Sequence, residues 1–216
     1  MVQAICSPKL TGIPSRILAA MPVVAAAMVL SACQEIMPAG LRGASPTELA
    51  EAISEFRVVP SSRAFVNAPQ ALIVLERQLD GAVEQRVTLP NTTSLAGENL
   101  ILMRAQTART ASGTRLVLND VLQQFGGPPT PFGSITDSGL TATSDAYGDI
   151  TYTAMRPGGD LTCVLAFRRT QTASRALPSG ATALDIMMRN CVSGSLEAAL
   201  APLGAQAFGL GSPVFR

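Results

Sequence analysis

The sequence predicts an α+β fold, with an antiparallel sheet of about six or seven strands and a short helix near each end, after a cleaved signal peptide. Short β-rich runs recur along the chain and are separated by turns rich in Gly, Pro, Asp and Ser. An Asp80-Gly81 pair joins two of these runs, which is typical of a tight β-hairpin. The helical pattern is confined to two short segments, one near each end of the region after residue 44.

The first 32 residues have the order of a secretory signal peptide. Lys9 and Arg16 supply positive charge, residues 17–30 are apolar, and small residues follow at Ser31 and Ala32. As a helix, this apolar run would span only about 21 Å, which is short of the roughly 30 Å hydrocarbon core of a bilayer. We therefore predict that residues 1–32 are removed.

The segment Leu30-Ser31-Ala32-Cys33 resembles the lipobox of bacterial lipoproteins, in which the cysteine is lipid-modified and becomes the new N-terminus. This resemblance makes Cys33 the lipidation site and the membrane a partner through the lipid anchor. An ordinary leader, or an uncleaved anchor with a chance cysteine, is the alternative. The expected location is the periplasmic side of the cell envelope. Gln34, by resemblance to the enterobacterial sorting rule, favours the outer membrane over the inner.

The mature chain is predicted to contain one domain. Residues 33–44 form the lipidated N-terminus and tether, residues 45–204 a single α+β domain, and residues 205–216 a C-terminal tail. The sequence Ser-Pro-Thr-Glu at 45–48 combines an N-cap, a proline at the first helical position and a glutamate three residues after the cap. It predicts an amphipathic helix that ends near Arg57.

The predicted strands follow the first helix. Residues 71–79 and 82–89 flank the Asp80-Gly81 turn, and the second run alternates between apolar and charged positions. Further strands are predicted over residues 99–105, 150–155, 161–167 and 183–191, the last two as antiparallel partners. Residues 116–125 are predicted to begin as a strand and end as a helical turn.

Two segments rich in turn residues and one more helix complete the prediction. Residues 126–133 contain three Gly and three Pro, and they are interpreted either as a flexible functional loop or, preferably, as a plain connector. Residues 134–149 are rich in Ser, Thr and Asp. Ser195 is predicted to cap a helix over residues 196–201, which Pro202 stops.

The amino acids that the sequence lacks exclude several kinds of chemistry. The chain contains no His, and its one Lys is Lys9. Catalytic arrangements that need histidine, His-ligated metal sites and Schiff-base lysines are therefore excluded from the mature chain. Paired carboxylates, or a Tyr or Ser acting with Arg, remain possible. We expect no catalytic residues, no cofactor and no metal site.

The charge balance gives no indication of nucleic-acid binding. The chain has 16 basic and 15 acidic residues, and removal of Lys9 and Arg16 leaves 14 arginines against 15 acids, a formal charge of −1. The arginines are scattered along the sequence. A nucleic-acid partner is not expected, because such proteins concentrate basic residues on one face.

The four cysteines are predicted to have different roles. Cys6 leaves with the leader, Cys33 takes the lipid, and Cys163 and Cys191 remain as an even pair in an oxidising compartment. A bridge between them would close a loop of about 29 residues and stabilise the fold by roughly 3–4 kcal/mol. We favour this structural disulfide over two buried free thiols.

Acidic residues near the Gly/Pro-rich segment are the first candidates for chemistry. Asp137, Asp145, Asp149 and Asp160 could pair as acid and base or bind calcium, but their spacing matches no calcium-loop pattern. Acidic residues in such loops usually form turns, which is the favoured interpretation.

Two pairs of residues are further candidates. Arg168 and Arg169 could clamp an anion together, but alternation along a strand sends one of them inward and favours a structural ion pair. Tyr147 and Tyr152 could stack on a sugar ring, although two tyrosines without a tryptophan favour packing roles.

The strands that carry the cysteine pair resemble a known family. Residues 159–169, with Gly159-Asp160 ahead of Cys163, and residues 184–191, with Arg189 ahead of Cys191, are similar to BcsN-type cellulose-biosynthesis proteins. The hairpin over residues 74–85 resembles the same family. The resemblance covers roughly residues 55–200, implies an accessory role in making or exporting cellulose, and brings no catalytic residues with it.

These observations predict a non-catalytic, lipid-anchored envelope accessory protein that supports cellulose or other exopolysaccharide biosynthesis or export. Its expected partners are proteins of a polysaccharide synthesis or export complex. The alternatives are an interaction subunit of another envelope assembly, such as a pilus or secretion apparatus, and a carboxylate-based enzyme that acts on polysaccharide.

Overall fold

The computed structural model describes residues 46–107, 115–171, 177 and 180–208. Cys33 and the rest of the predicted leader and tether lie outside the described residues. The described helices are α1 (Pro46–Ile53), α2 (Leu118–Gln124), α3 (Leu196–Leu200) and α4 (Ala205–Phe208). Single 3₁₀ turns cover Ser61–Arg63, Asp137–Gly139 and Ala201–Leu203. None of the described helices is long and apolar enough to cross a membrane.

One antiparallel sheet forms the centre of the fold. Its strands, in the described part of the chain, are β1 (Arg57–Val59), β2 (Ile73–Leu79), β3 (Ala82–Leu89), β4 (Asn99–Thr107), β5 (Thr141–Asp145), β6 (Gly148–Gly158), β7 (Leu161–Gln171) and β8 (Ala181–Ser193). The spatial order is β1-β2-β3-β4-β8-β7-β6-β5, so β8 lies between β4 and β7. The α+β class with an antiparallel sheet is therefore confirmed.

The strand count is eight rather than the predicted six or seven. Six predicted strands are present as β2, β3, β4, β6, β7 and β8, and the two additional strands are the short edges β1 and β5. The strand expected to begin at residue 116 is absent, because residues 115–117 lead directly into α2 without joining the sheet. The strand β1 was missed because only three residues pair with β2, at the register Val58 to Leu75.

Several elements predicted from short sequence motifs are found in the structure at the expected positions. The β2–β3 hairpin turns at Asp80-Gly81, where Gly81 has a φ of 75° that a residue with a side chain rarely adopts. Ser195 Oγ accepts a hydrogen bond of 3.2 Å from the Ala198 amide and caps α3, as predicted. The strands β7 and β8 pair with Cys163 opposite Cys191, as expected.

The predicted limits of the first helix and the tail differ from the structure. The helix α1 ends at Ile53 rather than near Arg57, because the pairing of Arg57–Val59 with β2 draws this segment into the sheet. Residues 205–208, assigned to the tail by the sequence, form α4, and Ala207 and Phe208 are buried in the core.

The sheet has a packed layer on each face. On one side, called the C-terminal face, the sheet packs against α3, α4 and the segment 64–66 through Val87, Ile101, Met103, Val164, Ala166, Ile186 and Met188. On the other side, called the α2 face, it packs against α2 and Phe132 through Cys163, Leu165, Phe167, Met187 and Cys191. The candidate site lies on the α2 face.

Candidate functional site

A disulfide bond joins the two central strands of the α2 face. Cys163 and Cys191 are opposite each other on β7 and β8, with Cα atoms 4.0 Å apart and an S–S bond of 2.06 Å. Both residues are buried against α2 and Phe132. The predicted disulfide is therefore formed, and the alternative of two free thiols is not.

A row of alternating charges crosses five neighbouring strands on the same face. In register order it runs through Arg77 on β2, Glu84 on β3, Arg104 on β4, Asp185 on β8 and Arg169 on β7. The Glu84 carboxylate lies 3.1 Å from the Arg77 guanidinium and 2.7 Å from that of Arg104. Asp185 lies 3.0 Å from Arg169. Each acidic group therefore lies between two basic ones.

Hydrogen bonds from neutral groups support this row. Gln106 Nε2 donates to Asp185 at 2.7 Å and to Gln124 Oε1 of α2 at 2.8 Å. Arg77 also donates to the Glu51 carbonyl of α1 at 2.9 Å. Since buried charges are costly unless they are paired and hydrogen-bonded, these contacts fix the register of the strands and the positions of α1 and α2.

The row ends at an open cleft. Beyond Arg169, between the start of α2 and the edge strand β5, lies a cavity of about 790 Å³. Its polar lining consists of Arg115, Asp137, Tyr147, Asp149, Thr151, Arg169 and Gln171. A second cavity of about 240 Å³ shares Arg169 and is lined by Asp120, Gln124 and Asp185. We call the two together the Arg169 cleft.

The electrostatics of the cleft raise the proton affinity of one carboxyl. Burial raises the pKa of Asp185, and the charge of Arg169, followed by that of Arg104, opposes this shift. The negative charge of Asp120 on α2 adds to the increase, and the pKa of Asp185 remains above the ordinary carboxyl value. The pKa of Asp185 is therefore raised mainly because the carboxyl is buried.

The four candidate aspartates do not all lie at one site in the structure. Asp137 and Asp149 line the same cavity, and Asp149 accepts a 2.6 Å hydrogen bond from Ser144. Asp145 is engaged by Arg168, and Asp160 lies in the β6–β7 turn, where its carbonyl accepts from the Gly194 amide at 2.9 Å. Only Asp137 and Asp149 therefore share a site.

Arg168 ties β7 to the C-terminal segment. Its guanidinium is fully buried and bonds both oxygens of Asp145, with Nη1 at 2.9 Å from Oδ2. It also donates to the Leu203 carbonyl at 2.7 Å and lies 4.6 Å from the centre of the Phe208 ring. Burial raises the pKa of Asp145, but the hydrogen bonds from Arg168 and the Tyr147 amide, with the Arg168 charge, lower it overall.

The arginine pair and the tyrosines have structural roles. Arg168 faces the C-terminal side and Arg169 the α2 side, each in its own ion pair, so the ion-pair interpretation is confirmed and a joint anion clamp is not formed. Tyr147 and Tyr152 pack against the C-terminal core, and the rings of Tyr147 and Phe208 are 5.9 Å apart. Packing was the favoured interpretation for both tyrosines.

The Gly/Pro-rich segment is attached to the sheet. Phe132 is buried on the α2 face, and the Thr130 carbonyl accepts a 2.6 Å hydrogen bond from Arg189 Nε. The buried Arg189 also donates to the carbonyls of Glu98 and Ala96, each at 2.8 Å. The segment therefore covers the α2 face, which agrees with a connector.

Sequence reasoning missed the buried charged residues at and beside the cleft. Arg104 and Asp185 lie far apart in the chain and become neighbours only because β8 inserts between β4 and β7. The signal available was a charged residue within each of two otherwise apolar strand patterns. Within the described residues no group of three or more His, Cys, Asp or Glu side chains could hold a metal ion.

Comparisons with protein-family models, curated proteins and solved structures found no match to this chain. The fold and site define a single-sheet α+β domain with a disulfide and a buried charge row on one face, and with a polar cleft at the end of that row.

Proposed function

We propose that this chain is a lipid-anchored accessory protein of the cell envelope that supports the synthesis or export of cellulose or another exopolysaccharide, without catalysing a reaction itself. In this proposal Cys33 holds the protein on the periplasmic side of the envelope, in the outer rather than the inner membrane. The domain contacts protein partners of a polysaccharide synthesis or export complex.

The structural observation that supports the envelope location best is the Cys163–Cys191 disulfide. Disulfides persist in oxidising compartments such as the periplasm and are rare in the reducing cytosol. The signal-peptide pattern and the Leu-Ser-Ala-Cys segment ending at Cys33 support the same location independently.

The resemblance to BcsN-type proteins supports the link to cellulose. It rests on the Gly159-Asp160 and Cys163 segment, the Arg189 and Cys191 segment, and the β2–β3 hairpin. In the structure the two cysteine segments lie on the adjacent strands β7 and β8, and β4 lies between them and the β2–β3 hairpin. An accessory role also agrees with the engagement of Asp145, Arg168 and Arg169 in ion pairs.

The experiment that tests this proposal measures cellulose in a clean deletion strain, by dye binding and by glucose released with a glucanase. The strain is complemented with the wild-type chain or with Cys33→Ser, and protein levels are matched. Loss of cellulose that only the wild-type chain restores supports the proposal. Unchanged cellulose in the deletion strain, while the synthase is active, contradicts it.

The Arg169 cleft favours one second candidate, a carboxylate-based enzyme acting on polysaccharide. Asp137 and Asp149 line the cleft together, and paired carboxylates are the groups that glycoside hydrolysis uses. The variants Asp137→Asn and Asp149→Asn test this candidate in the same strain. Glu98→Gln, at an exposed carboxylate outside the cleft, is the matched control.

Loss of polysaccharide output with Asp137→Asn or Asp149→Asn, at normal protein level and unfolding stability, favours the enzyme. Output equal to that of the Glu98→Gln control favours the accessory protein.

A further inference from the structure

Large apolar side chains are exposed around the β1–β2 edge of the sheet. Val58 is 70% exposed, Leu72 is 68% exposed and Ile53 is 73% exposed, and Phe56 and Ile73 are each 38% exposed. Monomeric soluble proteins rarely expose contiguous apolar surface unless it contacts a partner or a membrane. We call the surface formed by Ile53, Phe56, Val58 and Ile73 the Val58 patch. Leu72 lies just before β2 and is not counted in it.

The register of the strands places the β1 and β2 residues of the patch on one face of the sheet. Val58 on β1 is opposite Leu75 on β2, and Ile73 lies two residues before Leu75, so these three side chains share the α2 face. Arg77 follows on the same face of β2, and its guanidinium lies 4.7 Å from the centre of the Phe56 ring. The patch therefore runs along β1 and β2.

The described fold leaves this part of the sheet uncovered. On the α2 face, α2 and Phe132 pack over Cys163, Leu165, Phe167 and Met187, which belong to β7 and β8 at the other side of the sheet. The helix α1 lies near the patch, since Arg77 bonds the Glu51 carbonyl and Ser54 bonds the Gln78 carbonyl. Ile53, at the end of α1, is still exposed to solvent.

The patch lies close in sequence to the proposed lipidation site at Cys33. Residues 34–45, which are 12 residues, separate the proposed lipidated Cys33 from Pro46 at the start of α1. A segment of this length reaches at most about 45 Å when fully extended. The first described elements after it, α1 and β1, are among those that carry the patch, so the patch lies in the part of the domain nearest in sequence to the proposed anchor.

We propose that the Val58 patch rests on the surface of the lipid bilayer that holds the anchor, and that it fixes the orientation of the domain on that membrane. This inference rests on the proposed lipid anchor at Cys33. The contact is interfacial, because the edge strand β1 carries backbone polar groups and the charged neighbours Glu55 and Arg57, which the hydrocarbon core would not accept. The strand β5, at the opposite edge of the sheet, then faces away from the membrane.

The absence of tryptophan from the chain makes a direct test possible. The full chain with Val58→Trp contains one tryptophan, at an exposed strand position that accepts large aromatic residues. Thr143→Trp on β5 is the matched control, because Thr143 is also an exposed strand residue but lies at the other edge. Ile73→Trp provides a second reporter in the patch, because Ile73 shares the α2 face with Val58.

Each protein is reconstituted in phosphatidylethanolamine and phosphatidylglycerol vesicles, with and without brominated acyl chains. Brominated lipid is expected to quench the tryptophan fluorescence of the Val58→Trp and Ile73→Trp variants at least twofold more than that of Thr143→Trp. The emission of the two patch variants is also expected to shift to shorter wavelength when vesicles are present. Equal quenching at both edges, or no quenching in the patch, would overturn the proposal.

Two further measurements separate the failure of the patch from the failure of the anchor. Mass spectrometry of the N-terminal peptide reports acylation of Cys33, so an unmodified cysteine contradicts the anchor, while an acylated chain without quenching contradicts the patch alone. The patch would instead contact a second copy of the chain if two results were found together. The emission of Val58→Trp would shift with protein concentration in the absence of lipid, and brominated lipid would not quench it. Those results would also overturn the membrane contact.

Discussion

Glu84 on β3 lies directly opposite Arg104 on β4, and its carboxylate accepts a 2.7 Å hydrogen bond from the Arg104 guanidinium. The same carboxylate is 3.1 Å from Arg77 on the other side. Glu84 is thus the anion between two arginines, and all three side chains are largely buried. Removal of one partner from a buried ion pair destabilises a protein more than the pair itself contributes, because the remaining charge stays buried.

We therefore predict that Glu84→Met lowers the free energy of unfolding by about 3–5 kcal/mol. Glu98→Met is the matched control, since Glu98 pairs with Arg86 at the surface and both side chains are well exposed. The control is expected to change stability by less than about 1 kcal/mol. Equilibrium unfolding in urea measures both values, and equal losses would show that the charge row has no special role.

The ion pair of Asp145 with Arg168 predicts a pH dependence. The folded-state pKa of Asp145 is lowered, so its contribution is fully present above the ordinary carboxyl value of about 4 and is lost as the pH falls through the lower folded-state pKa. Asp145→Asn is therefore expected to be less stable than the wild type at neutral pH, and this difference should shrink as the solution is acidified below about pH 4. Urea midpoints at several pH values measure it. A constant difference across that range would be the contrary result.

The contribution of Asp185 to the free energy of unfolding is expected to change with pH in the opposite direction. Its folded-state pKa is raised, so the folded state binds more protons between the ordinary and the raised value, and wild-type stability falls as the pH rises through that window. Relative to the wild type, Asp185→Asn should gain stability as the pH increases from about 4 toward neutral. The same titration series measures this, and a relative loss over that window would contradict the raised pKa.

The disulfide predicts a loss of stability on reduction. Cys163 and Cys191 are 28 positions apart, so the bond constrains the unfolded chain and contributes about 3–4 kcal/mol. Replacement of both cysteines by alanine should lower the free energy of unfolding by this amount. Unfolding of the wild-type chain in excess reductant provides the control and should give a similar loss. A urea midpoint that reductant leaves unchanged would mean that the bond contributes nothing.

Gly97 is predicted to be intolerant of a side chain. It has a φ of 101°, and a Cβ atom there would lie 3.1 Å from Arg189 Nη2, whose guanidinium is hydrogen-bonded to three carbonyls. Gly97→Ala is expected to destabilise the protein by about 1–3 kcal/mol from backbone strain, with a further loss from the contact. Gly126→Ala isolates the strain, because Gly126 has a φ of 82° and open space around it. Equal losses for the two variants would contradict the contact.

Local sequence signals predicted the parts of the fold that they determine physically. The Asp80-Gly81 turn joins β2 to β3, and Ser195 caps α3, since each depends on residues within a few positions. The strands β7 and β8 were also predicted as partners. The edge strands β1 and β5 were missed, because β1 has only three residues and β5 is a polar run, Thr-Ala-Thr-Ser-Asp, without apolar alternation.

The candidate site was less accessible to sequence reasoning. Asp137 and Asp149 were identified as candidates from their positions near turns, and they do line one cavity. Asp185 lies beside Arg104 and Arg169 because β8 pairs with β4 on one side and with β7 on the other. This placement requires the order β4-β8-β7 in the sheet. No local pattern specifies such an order, because it follows from long-range strand pairing.

Both the proposed envelope role and the proposed membrane contact depend on attachment of the mature chain to the membrane through Cys33. The most direct measurement is the intact mass of the protein extracted from the membrane fraction of its host, followed by fragmentation of the N-terminal peptide. We predict a chain that begins at Cys33 and carries a diacylglycerol modification on the thiol, absent from Cys33→Ser. A chain that retains Met1, or that begins near residue 33 without an added lipid, would contradict the lipid anchor.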